Sequence, residues 1–240
     1  MPKSFENLKI SVERLTVEDR VEELCQNFGK YLGEFDRIDP FTGPSVYFHV
    51  RTLERLKAIG ASKALDDVLF YEYLYATLAS WGMHRMGPKG AKMVEFKGFM
   101  ETLQSQKQEI LELQELKLTM LEKRELDRAT NKLWAILSHL RVSSTDTQLV
   151  AGSKVLHHIL PNLVPPIDGE HTLRFVYGYK PTSESDERKF MKTFPLLGTL
   201  ARTERSIISQ WIGKPFHTNE TKVIDNAIIG YVKAKMKKVE

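Results

Sequence analysis

Thr16-Val-Glu-Asp-Arg-Val-Glu-Glu-Leu-Cys-Gln-Asn-Phe-Gly-Lys-Tyr-Leu-Gly-Glu-Phe35 sets the period on which the chain is built. Val17, Val21, Leu24, Cys25, Phe28, Tyr31, Leu32 and Phe35 recur every three or four residues, so they share one face of a helix. Thr16 stands where an N-cap belongs, with Asp19 three residues on. Asp39-Pro-Phe-Thr-Gly-Pro44 ends the pattern.

The same period extends outward. It predicts helices over 48–59, stopped by Gly60, and over 63–81, rich in aromatic residues. A loop containing Met86-Gly-Pro-Lys-Gly90 follows. The stretch 96–140 has apolar residues too widely spread for one heptad seam. It reads as two or more packed helices with a break at Glu122-Lys-Arg-Glu125. Further helices are expected over 149–160, stopped by Pro161, and over 169–177, capped by Asp168. Those at 185–194 and 196–213 are divided near Pro195, and an amphipathic closing helix covers 219–237. No alternating strand pattern competes, and the expected fold class is all-α.

Composition narrows the function classes. With 42% hydrophobic residues in 240, the chain can bury a substantial core. One cysteine, Cys25, excludes an internal disulfide, an iron–sulfur cluster and a four-cysteine zinc site. It falls on the apolar stripe, which predicts a buried, inert thiol. Neither a signal peptide at Met1-Pro-Lys-Ser-Phe5 nor a membrane-length apolar run is read, so the expectation is a cytoplasmic protein with no membrane partner. The 35 Lys+Arg against 31 Asp+Glu permit a nucleic-acid partner without demanding one. Lys233, Lys235, Lys237 and Lys238 read first as a solvated basic tail.

The chemically informative block is Leu149-Val-Ala-Gly-Ser-Lys-Val-Leu-His-His-Ile-Leu160, followed by Pro165-Pro-Ile-Asp-Gly-Glu-His-Thr-Leu-Arg-Phe175. It resembles the hairpin and following helix of the helix-hairpin-helix DNA glycosylase superfamily, in which a glycine-containing hairpin leads to a lysine and then an aspartate at the next helix start. The resemblance covers 149–175. Gly152, Lys154 and Asp168 hold the matching places, and His171 with Arg174 echoes the residues after the aspartate. Val150 stands where that family's hairpin usually has its first glycine.

The resemblance implies a two-lobed helical fold with a cleft near 149–175, duplex DNA as partner, and base-excision repair chemistry of the glycosylase or abasic-site lyase type. Gly152 and Ser153 would meet DNA phosphate, Lys154 would be the nucleophile, and Asp168 the electrostatic or general-base partner. No cofactor is implied. The alternative is a non-catalytic helical binding module whose hairpin has degenerated.

Other residues are weighed beside this block. Tyr71, Tyr75 and Trp81, followed by His84 and Arg85, form a candidate base pocket, although aromatics at helical spacing are ordinary core residues. His157 and His158 are adjacent, so their side chains leave a helix about 100° apart. That disfavours a shared ion, and one ring is expected in the core with the other at the surface. No metal-ligand set is read. A metal-dependent hydrolase centred on His158 and His171 is the remote alternative. Asp225, in an apolar segment, requires a partner.

Overall fold

The computed structural model describes residues 15–38, 42–83, 92–179 and 183–236. His84, Arg85, the 86–90 loop, Lys237, Lys238 and parts of the 39–44 break and the 181–186 polar loop lie outside the described residues. Among those described are thirteen α-helices and one short 3-10 turn, with no strand beyond an isolated bridge between Met93 and Ser143. The fold is all-α.

Local chemistry explains most of the boundaries. Thr16 opens α1 (Val17–Gln26) with a capping box: its Oγ1 accepts the Asp19 N–H, and the Asp19 carboxylate accepts the Thr16 N–H. The predicted single helix breaks at Asn27, and α2 (Phe28–Ile38) follows. α3 (Pro44–Ile59) stops at Gly60, whose φ of 78° suits glycine. The aromatic stretch divides into α4 (Ala61–Ala64) and α5 (Val68–Ser80). Asp67 caps α5 and grips the Arg55 guanidinium through both carboxylate oxygens.

The 96–140 stretch becomes α6 (Phe96–Ser105), α7 (Lys107–Leu111), the 3-10 turn Leu118–Met120 and α8 (Lys123–His139). A capping box between Glu122 and Glu125 starts α8 at the expected break. Then come α9 (Leu149–Ile159), α10 (Thr172–Tyr177), α11 (Asp186–Thr203), α12 (Arg205–Trp211) and α13 (Glu220–Lys235).

Two expectations fail for packing reasons. Pro195 does not divide two helices, because it lies inside α11. Burial of Phe190, Phe194, Leu197 and Leu200 along one face, at roughly 1.5–3 kcal/mol each, offsets the ~3 kcal/mol cost of an interior proline. Nor is α13 an amphipathic closing helix: every residue from Thr221 to Val232 is buried. It runs against α2 so closely that a Cβ on Gly230 would stand 1.9 Å from the Tyr31 carbonyl oxygen. Tyr31 and Tyr231 meet edge to face at 5.0 Å, and both hydroxyls donate to Glu23.

One hydrophobic cluster runs from Leu24 to Met236. Arg20, buried in it, donates to the Phe175 and Val176 carbonyls at 2.6 and 3.0 Å and so anchors the end of α10 on α1. Cys25 is half-buried and not, as expected, fully buried; it lies beside Glu204, and burial pushes its thiol up to about 11. Among the described residues no helix is long and apolar enough to cross a membrane.

Candidate active site

α9 carries most of the chemistry the sequence singled out, and its two halves face different surroundings. The N-terminal half is not a phosphate-binding hairpin. Gly152 is an interior helical residue whose N–H is bonded to the Gln148 carbonyl at 2.7 Å. A Cβ there would lie 2.6 Å from Leu137 Cδ2, so the glycine serves the packing of α9 on α8. Ser153 is fully buried. Two of the amides at the start of α9, where a helix end attracts anions, are already occupied: Asp186 Oδ2 accepts from the N–H groups of Gln148 and Leu149 at 2.7 and 2.9 Å. The expectation that Gly152 and Ser153 touch DNA phosphate is therefore corrected.

Ser153 has a different task. Its Oγ accepts the Ile167 N–H at 3.0 Å. This ties the return segment to α9 and sets Asp168 on the same side as Lys154, the residue after Ser153. Lys154 and Asp168 do come together, in a cleft of about 270 Å³ whose walls also include Trp81, His171, Lys222 and Asp225. Trp81 caps the end of α5, Lys154 lies mid-way along α9, Asp168 precedes α10, and Lys222 with Asp225 occupies the first turns of α13. Lys154 stands in the second turn of its helix.

The cleft is strongly polarised. Asp168 accepts the backbone N–H groups of His171 and Thr172 at 2.7 and 3.1 Å and holds the His171 ring nitrogen at 3.0 Å. Burial pushes its carboxyl up, but these donors outweigh that and hold it at about 2; the same pairing raises His171 against its own burial. Lys222 and Asp225, both almost fully buried, form an ion pair of 2.6 Å, which supplies the partner Asp225 requires. Half-buried Lys154 donates to the Trp81 carbonyl at 3.3 Å. Burial lowers its ammonium, while Asp168 and Asp225 act in the opposite direction. Lys154 and Lys222 both lie over the Trp81 indole, at 5.8 and 5.5 Å from the ring centre.

Of the three aromatics proposed as a base pocket, only Trp81 lines the cleft. Tyr71 is core, packed on Phe70 and Phe99 with its hydroxyl on the Leu65 carbonyl, and Tyr75 packs on Phe96 and Phe99. Helical spacing alone does not distinguish a ring facing the core from one facing a cleft.

The histidines also depart from expectation. Both His157 and His158 are fully buried, and His49 of α3 joins them beneath Trp81. His171 stays with Asp168 in the cleft, so His158 and His171 are not brought into one ligand set. Sequence reading missed His49 and Lys222 as site residues. His49 is distant in the chain from 149–175 and has no motif around it.

A larger cavity of about 470 Å³ lies at the other end of α9, beside Gln148, Leu149 and Asp186. Gln148 accepts from the Val142 and Ser143 N–H groups and donates to the Ser143 and Thr145 carbonyls. Its polar groups are thus committed to holding the turn, and the reactive side chains belong to the smaller cleft. No protein-family model, curated protein or solved structure matches the chain.

Proposed function

We propose that the cleft acts on the glycosidic carbon of a nucleotide extruded from duplex DNA, in the manner of a base-excision glycosylase or abasic-site lyase. The observation that carries this reading is the convergence of Lys154 and Asp168 on one cleft walled by Trp81. An indole face suits an unstacked base. A lysine amine, freed of its proton, attacks the sugar carbon. The bond to the base breaks, and the base leaves with the bonding pair and takes up the proton the amine releases. The Asp168 carboxylate, ionised at neutral pH, stabilises the positive charge developing on the sugar. The two-lobed architecture of the helix-hairpin-helix enzymes belongs to the same proposal.

A second reading is favoured by Asp186, which occupies two of the amides that a phosphate-binding helix start would offer. On that reading the chain is a binding module without lesion chemistry. The test is binding to duplex DNA with and without a stable abasic-site mimic across a salt series, together with borohydride trapping on an abasic duplex. At least tenfold preference for the mimic, weakening with salt, and a covalent adduct lost in Lys154→Ala support catalysis. Equal, salt-sensitive binding without an adduct selects the second reading. No binding at low salt removes DNA as the partner.

A further inference from the structure

His49, His157 and His158 form a closed cluster outside the cleft, one wall away from Lys154. Each is at most 1% exposed, and one ring nitrogen from each lies within 4.8 Å of the others. Ring centres are 5.0, 5.0 and 5.8 Å apart. Three imidazoles around one tetrahedral ion, at ~2.0–2.1 Å from metal to nitrogen, place their ring centres roughly 5 Å apart.

The outward-facing nitrogens are all engaged by oxygen. His157 Nδ1 faces the Val164 carbonyl at 3.0 Å and Thr221 Oγ1 at 3.0 Å. His158 Nδ1 faces the Lys154 carbonyl at 2.7 Å, and His49 Nε2 faces Thr218 Oγ1 at 3.0 Å. A carbonyl only accepts, so His157 and His158 carry their protons on Nδ1 and present bare Nε2 lone pairs. Oxygen partners of this kind are what orient metal-ligating histidines.

His158 Nε2 faces His49 Nδ1 at 2.9 Å. His157 Nε2, by contrast, is buried with no hydrogen-bond partner. Thr193 Oγ1 and Asn226 Oδ1 share that condition among the described residues, but of these three residues only His157 belongs to a group of three candidate ligands. A lone pair held by two oxygens behind it and given nothing in front is a ligand awaiting an acceptor.

We propose that His49 Nδ1, His157 Nε2 and His158 Nε2 bind one d10 transition-metal ion, Zn²⁺ or Cu⁺. Three neutral imidazole ligands suit these borderline or soft cations, whereas Mg²⁺ and Ca²⁺ demand oxygen. His49 takes part by moving its proton to Nε2, where Thr218 Oγ1 accepts the hydrogen bond. Trp81 closes the cleft side, with its ring centre 5.0, 5.4 and 6.4 Å from those of His158, His49 and His157. Three protein ligands leave the fourth position of a tetrahedral ion to water; the ion clamps α3 to α9 and fixes the floor on which Lys154 stands.

The test uses the full chain expressed without a histidine tag. Metal content is measured as purified, and again after unfolding and refolding with Zn²⁺ or, anaerobically, with Cu⁺; the two arms identify the ion. The expected result is about one equivalent per chain and a higher melting temperature for metal-refolded than for chelator-refolded protein. In His49→Gln and His157→Gln the bound metal falls at least tenfold. Less than a tenth of an equivalent in both purified and refolded wild-type protein overturns the proposal, as does a full equivalent that both variants retain. Cobalt substitution reads the site without mutation: absorption bands of a tetrahedral nitrogen-ligated ion support it, and octahedral bands reject it.

Discussion

The two halves of α9 have opposite characters. At its N-terminal end the Asp186 carboxylate, the Gln148 amide and the neighbouring backbone satisfy one another, and the helix is sealed onto α8 by a glycine. Toward its C-terminal end the same helix presents a half-buried ammonium, two buried imidazoles and an unpartnered nitrogen to a cleft and its floor. Structural polar networks are recognised by complete pairing. Sites are recognised by groups that remain underused after folding.

The sharpest way to break this contrast is at the buried ion pair of the cleft. Lys222→Met removes the main counter-ion of Asp225, whose carboxyl burial already pushes up, an expected loss of about 3–5 kcal/mol. Lys222→Met combined with Asp225→Leu should recover most of it, as read by urea denaturation. A loss below about 1 kcal/mol would mean that water already screens the pair and the cleft wall is not dry.

Asp168 gives the next largest effect, and it carries a pH signature. Its carboxyl is held below the ordinary value, so its stabilisation is complete above about pH 4 and disappears as pH falls toward 2. His171 is raised, so its contribution is complete below about pH 6.5 and declines as pH rises through its folded value. The difference between wild type and Asp168→Asn should therefore peak at about pH 4–6.5, at about 2 kcal/mol. A difference that is flat from pH 3 to 8 would show that the pair is not formed.

At the other end of α9, Asp186→Ala removes the acceptor of two helix-end amides. The expected loss is about 1–2 kcal/mol, with the metal content and cleft chemistry unchanged. If thermal and urea unfolding show no more than a surface-substitution effect, the carboxylate does not seal that end, and the contrast between the halves dissolves.

How far the sequence carried this picture depends on the range of each cause. Thr16, Gly60, Glu122 and Asn219 act within a turn of their own position, so the helix starts and stops they impose are readable locally. Lys154 and Asp168 were legible as a pair only through the resemblance of 149–175 to the helix-hairpin-helix enzymes; what joins them in space is the Ile167 N–H on Ser153 Oγ, which no local pattern announces. Gly152 was misread because a glycine that admits a neighbouring helix looks, in one dimension, like a glycine that admits a phosphate. His49 was invisible for a related reason: the packing of α3 on α9 brings it to His158, and no residue near it in the chain announces that packing. Pro195 shows the limit in reverse, since buried aromatic neighbours override a strong local signal.

Trp81 is a shared partition. Its indole lines the cleft and also lies against the three imidazoles. Whatever tilts the ring to admit a ligand must also disturb the histidines, and whatever stiffens the histidines must resist that tilt. Free energy exchanged across such a wall is reciprocal. An ion among the imidazoles and a ligand in the cleft would therefore each change the other's affinity by the same factor, although they share no atom.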